Sequence, residues 1–176
     1  MQELQSLTDR YAKSVYEKDL EGLLSIYDDK IMAFDMWQVW TYDGMKSWRE
    51  MNTHWFEMVG KDRDVITFED LRIEQTDELA SITAIVRYAA VNEKGEELRH
   101  MYNRLTWVAR KFGEDWKVIH QHTSSPIDFS TMKVMLTREG VVIRDELSID
   151  ENRLIRDAVF IQVIEVRLSR NVNCQS

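Results

Sequence analysis

Two glycine-bearing stretches, "NEKGEE" (92–97) and "KFGEDW" (111–116), do most to limit the folds open to this chain. Each sits between long runs rich in β-branched and aromatic residues, and each offers a glycine where a hairpin turn needs positive φ. They separate three expected strands, 79–92, 97–110 and 115–124, and a further run, 64–75, precedes them. Consecutive hairpins make an antiparallel meander. Ahead of the meander the apolar period is helical. Leu4, Leu7, Tyr11 and Val15 mark a helix over 3–17. Asp19 reads as the N-cap of a second helix carrying Leu20, Leu23, Leu24 and Tyr27 on one face. "KIMAFDMW" (30–37) reads as a short strand and 38–43 as a loop. Asp43 is placed to cap a third helix, 44–59, whose buried face would hold Met45, Trp48, Met51, Trp55 and Met58. Helices followed by a meander give an α+β domain. A curved sheet wrapped around one long helix would leave a cavity between them.

Composition narrows the class of partner. With 44% hydrophobic and 31% charged residues, the chain reads as soluble and globular. Its net charge of −8 and its lack of a basic run argue against a nucleic-acid or anionic-membrane surface. No apolar run approaches the length of a membrane span. Cys174 stands alone, which excludes an intramolecular disulfide and a thiolate zinc cluster. The opening "MQELQSLTDRYAK" lacks the basic and apolar regions of a signal peptide, so a cytoplasmic location is expected. Residues 1–133 read as one domain and 134–176 as an extension of unknown role. In the extension "SIDE" (148–151) fits a capping box, and "AVFIQVIEVRLSR" (158–170) fits a strand or a helix.

Candidate site residues cluster at strand ends. In "WKVIHQHTSSP" (116–126) strict alternation puts Trp116, Val118, His120 and His122 on one face, and Lys117, Ile119, Gln121 and Thr123 on the other. The first face grades from apolar to polar, like a sheet end opening onto a pocket. His122, nearest the opening, is the expected ligand contact and His120 its hydrogen-bonded support. A metal site would need a third ligand, such as His54, His100 or a carboxylate, and an isolated pair does not supply one; no metal is expected. Asp35 lies between "IMAF" and "MWQVW". Desolvation there would lift its pKa towards that of a general base; the alternative is a strand-end carboxylate accepting backbone N–H bonds. Tyr11 is either a core residue or a donor to an oxyanion. Trp37 and Trp40 flank the loop and are candidates for ligand contact, whereas core packing accounts for Trp48 and Trp55. On strand 97–110, His100, Tyr102, Arg104 and Thr106 share one face. Tyr102 joins the ligand-binding set, and Arg104 either anchors an anionic ligand or pairs with one of the chain's own carboxylates.

Taken in order, three segments resemble one superfamily. "DRYAKSVYEKDLEGLLSIYDDKIMAFD" (9–35) is similar to the opening of SnoaL-like, or nuclear-transport-factor-two-like, domains. "YDG" (42–44) fits the glycine that opens their third helix, and "RLTWVARKFGEDWKVIHQHTSSP" (104–126) resembles their last hairpin. The final segment is most like the branch that includes the association domain of calmodulin-dependent protein kinase two. The resemblance implies a cone-shaped, cystatin-like α+β fold in which a strongly curved antiparallel sheet wraps the N-terminal helices and encloses a pocket. It also implies a homodimer, or a higher homo-oligomer, formed through the sheet. Against the steroid isomerases of the superfamily, 9–35 aligns without a gap. Tyr11 then falls on their oxyanion tyrosine and Asp35 on their proton-shuttling aspartate. Their second oxyanion donor, an acid, is replaced here by Trp107 or Thr106.

Two functions remain open at this stage. One is a domain that binds a small hydrophobic or anionic molecule without turnover. The other is a cofactor-independent isomerase, cyclase or dehydratase in which Asp35 is the base and Tyr11 or His122 the donor. An assembly module is a third. None of these calls for a cofactor.

Overall fold

The computed structural model of this chain describes residues 2–138. The readings of "SIDE" and of 158–170 fall outside the described residues. The order is α1 (Gln2–Glu17), α2 (Leu20–Leu24), β1 (Tyr27–Phe34), β2 (Tyr42–Asp43), α3 (Met45–Val59), β3 (Arg63–Gln75), β4 (Leu79–Val91), β5 (Glu97–Phe112) and β6 (Asp115–Ser124). The architecture is α+β, helices first and meander second.

Each helix follows from its sequence. The stripe of α1 is buried, with Leu4, Leu7, Tyr11 and Val15 all at 5% exposure or less. Asp19 caps α2, its carboxylate accepting from the N–H of Gly22 at 2.9 Å. The start of α3 differs from expectation. Its N-cap is Gly44, and Asp43 lies instead in β2, paired with Met32. Gly44 has φ +82°, a conformation that a Cβ would oppose. Its N–H donates to the Ile31 carbonyl at 2.7 Å and so ties the helix to β1. A glycine there anchors the helix through its backbone and leaves the aspartate no capping role.

The strands form one sheet in the order β2-β1-β6-β5-β4-β3. Neighbours run antiparallel except β1 and β6, which are parallel. Gly95 and Gly113 turn the two hairpins with φ of +79° and +65°. Register shifts interrupt four ladders, between Tyr27 and Met32 in β1 against β6, at Glu69/Arg72 in β3 against β4, at Ala90/Val91 in β4 against β5, and at Val108/Ala109 in β5 against β6. Such bulges bend a strand and sharpen its twist. The inner sheet face packs on α1 and α3 around Trp107, which is fully buried. Beyond Lys133 the described chain stays bonded to the sheet: the Tyr102 N–H donates to the Leu136 carbonyl at 2.7 Å, and Arg138 pairs with Glu69 at 2.7 Å and with Asp70. Among the described residues no helix is long and apolar enough to cross a membrane.

Candidate functional site

A cavity of about 810 Å³ opens between α1, α3, the loop after β1 and the inner face of the sheet. Tyr11 reaches it from α1 and Asp35 from the end of β1. Trp37 and Tyr42 come from the loop and β2. Trp48, Met51, Asn52 and Trp55 line it from α3, and Tyr88, Asn103 and Gln121 from successive strands. Wide, mainly apolar walls with a few convergent polar groups are the usual form of a small-molecule site.

Asp35 is held by its own neighbourhood. One carboxylate oxygen accepts from the Trp37 N–H at 3.0 Å, and the other from the Thr123 hydroxyl at 3.0 Å. Thr123 in turn accepts from the Met36 N–H at 3.0 Å. Burial raises the Asp35 pKa from its ordinary carboxylate value, and the two hydrogen bonds pull it only part of the way back. Its charge reaches the phenols of Tyr11, Tyr27, Tyr42 and Tyr88 and adds to what raises their pKa values. Burial is the main cause for all four. The Tyr88 phenol is pushed up to about 12. All four therefore keep their protons at neutral pH and stay able to donate.

Tyr11 and Tyr88 face each other with hydroxyls 3.4 Å apart. Their separation in sequence hid the pairing. The available signal was that Tyr88 shares the inner face of β4 with Ile82, Ala84 and Val86, where it alone carries a polar atom. Deeper in, Gln121 accepts from the Tyr27 hydroxyl at 2.8 Å and from the Trp107 indole N–H at 2.7 Å. At the other end Trp55 donates to Asp64 at 3.1 Å. Burial raises the Asp64 pKa, while Trp55 and then Arg99 act against that rise. Two buried polar atoms of the lining, Trp48 Nε1 and Asn103 Oδ1, lack a hydrogen-bond partner among the described residues.

The structure brings together Tyr11, Asp35 and Trp37. It does not bring the remaining expected residues to them. His120 and His122 point to the outer face, edge-on to Phe34 at ring distances of 5.0 Å and 6.0 Å. The cause is one bulged residue. Val118 pairs with Ala109 and His120 with Val108, so Ile119 is extra in β6 and the alternation reverses beyond it. Trp116 and Val118 are buried inside, as are Gln121 and Thr123 after the bulge. The expectation that both histidines continue the face of Trp116 and Val118 is corrected accordingly. Tyr102 and Arg104 also lie outside: on β5 the buried set is Asn103, Leu105, Trp107 and Ala109. Arg104 is exposed and provides the cavity with no anion anchor. Trp40 is 95% exposed and does not line the cavity. Of the two positions matched to a second oxyanion donor, Trp107 spends its N–H on Gln121 and Thr106 lies on the outer face. Among the described residues no cluster of three or more His, Cys, Asp or Glu is arranged to hold a metal.

Comparison with known proteins agrees with this architecture. An NTF2-like protein of unknown function from Pseudomonas putida KT2440 superposes with a TM-score of 0.70 at 25% identity, over 79% of this chain and 95% of that one. A candidate dehydratase of the NTF2-like family from Streptomyces avermitilis has a TM-score of 0.60 at 12% identity, over 72% and 97%. A candidate calcium/calmodulin-dependent protein kinase II association domain from Xanthomonas campestris has a TM-score of 0.54 at 18% identity, over 78% and 88%. No curated protein matches the sequence. The family model for the SnoaL-like domain matches residues 4–128, from the first buried leucine of α1 to just past β6. This chain belongs to the SnoaL-like domain family.

Proposed function

We propose that this chain is a small-molecule-binding domain whose ligand occupies the cavity between α1, α3 and the sheet. One observation carries the reading: Asp35, Tyr11 and Tyr88 converge on a single aromatic-walled cavity of about 810 Å³. That size suits a molecule of a few fused or linked rings. Its polar end would meet Asp35 and the paired phenols, and its body the rings of Trp48 and Trp55.

A second reading rests on the desolvated carboxylate of Asp35. Burial raises its pKa from the ordinary carboxylate value, the direction in which a general base gains strength. Here Asp35 takes a carbon-bound proton next to a carbonyl, and Tyr11, with Tyr88 beside it, donates to the developing enolate. The Asp35→Asn variant separates the two. For an enzyme, turnover should fall by about 10²–10⁴ while ligand still binds; for a binder, only affinity should change. Turnover that survives Asp35→Asn intact would exclude the general-base reading. The same variant has a stability signature. A carboxylate with a raised folded-state pKa contributes stability that is full below its unfolded pKa and is lost as pH rises through the folded value. Asp35→Asn should therefore gain stability over the native chain at neutral pH and lose that advantage below the ordinary carboxylate range. Urea titrations at the two pH values measure it; equal differences would show that the charge costs the fold nothing.

Self-association through the outer sheet face is also proposed. Met32 at 41% exposure and Phe34 at 37% lie there beside His120 and His122. Sedimentation should give a dimer or larger assembly for the native chain and a smaller species for Phe34→Lys. A native monomer at high concentration would dismiss this interface.

A further inference from the structure

Resting on the ligand-binding reading, we infer that the molecule this cavity takes is an organic cation: an amine carried on an aromatic or alicyclic body. The argument begins with charge. The cavity lining holds the carboxylates of Asp35, Glu50 and Asp64, and among the described lining residues Arg99 is the single Lys or Arg. Arg99 acts on Asp64 across the sheet, with no direct ion pair between the two side chains. Asp64 pairs with Ala90 across β3 and β4, and Ala90 with Arg99 across β4 and β5. Asp64 and Arg99 thus flank one small residue in a single cross-strand row, and the arginine's charge acts on Asp64. Asp35 has no such partner. Its hydrogen bonds come from a backbone N–H and a threonine hydroxyl, and no described cation forms an ion pair with it. A partly buried carboxylate without a counter-charge is costly, and a ligand cation removes that cost.

Two further features agree in sign. Asn103 is 94% buried, being 6% exposed, and its Oδ1 is an acceptor without a donor. It belongs to the same corner as Asp35: its amide nitrogen lies 3.7 Å from the Met36 sulfur, and the Met36 N–H bonds to Thr123, which donates to Asp35. Two acceptors in one corner of the lining, one of them without a donor, favour a ligand that brings donors. An ammonium supplies three donors and a charge, whereas a ligand carboxylate would bring only further acceptors. The walls there are phenol rings of Tyr11, Tyr42 and Tyr88, whose faces attract a cation. The unpartnered Trp48 Nε1 is a donor; it suits a ligand hydroxyl or ether and does not bear on charge. The net charge of −8 draws cations toward the chain at long range. An amine seated at Asp35 makes that residue a counter-ion and not a base, so this inference goes with binding and not with proton abstraction.

Isothermal titration of the full chain with three shape-matched probes, naphthylethylamine, naphthylethanol and naphthylacetate, tests it. The amine should bind tighter than the alcohol by at least about tenfold, and the carboxylate weakest. In Asp35→Asn the preference for amine over alcohol should collapse towards unity. The probe series on the native chain decides the matter even where that variant fails to fold. If the alcohol or the carboxylate binds the native chain as tightly as the amine, the cation inference is wrong and the binding cavity stands. If none of the three binds, the ligand-binding reading itself fails and takes this inference with it.

Discussion

Trp107→Ala should lower the unfolding free energy by about 3–5 kcal/mol, the usual cost of emptying a large aromatic site in a core. Trp107 has no exposed surface. Its ring lies 5.5 Å from that of Tyr11, 5.8 Å from Phe68 and 6.3 Å from Tyr27, all tilted or edge-on. It is therefore the piece against which α1, β1 and β3 all pack. Neighbouring rings cannot collapse into the space without giving up their own geometry, because Tyr11 is held towards Tyr88 and Tyr27 towards Gln121. Urea unfolding followed by circular dichroism measures the loss. A change below about 1 kcal/mol would mean that the cluster relaxes freely and is not the centre of the core. The cavity should suffer as well, since Tyr11 leans on this ring.

Gln121→Leu should cost about 2–6 kcal/mol, although leucine is close to glutamine in size. The amide oxygen of Gln121 accepts two bonds at once, from the Tyr27 hydroxyl and from the Trp107 indole. Leucine leaves both donors buried without a partner, at about 1–3 kcal/mol each. Gln121 is 3% exposed, so water reaches the orphaned groups poorly. Coupling distinguishes this from a general packing loss. Trp107→Phe removes one of the two donors, so in the Trp107→Phe background the cost of Gln121→Leu should fall by about the value of that one bond. Strict additivity of the two substitutions would show that the shared acceptor is not what holds the site.

Much of the fold can be read from the chain because its signals are local. The period of Leu4, Leu7, Tyr11 and Val15 is a property of a few adjacent turns, and the glycines at 95 and 113 answer a steric demand within four residues. Tyr11 and Asp35 were legible as partners through an ungapped segment that resembles known proteins, and the structure places both on one cavity. Tyr88 was not, since its role depends on a hydroxyl 77 residues away. Nor was Asn103, whose unpartnered oxygen is a statement about what surrounds it and not about its own neighbours in the chain.

"HQH" shows where the division lies. That residues 115–124 form the last strand of a meander follows from β-branched and aromatic residues between turn signals, and those residues carry the information themselves. Which of the three side chains looks inward does not. Alternation of period two assigned both histidines to the inner face, yet Ile119 is bulged against β5 and every residue after it turns over. The middle residue, Gln121, became the buried acceptor and the histidines became surface. A bulge is settled by how two strands distant in sequence best share hydrogen bonds and bury Trp107 and Val118 together, so it exists only once both strands are packed. The chain's own residues decide the type and order of its elements; the packed sheet decides which of them face the cavity.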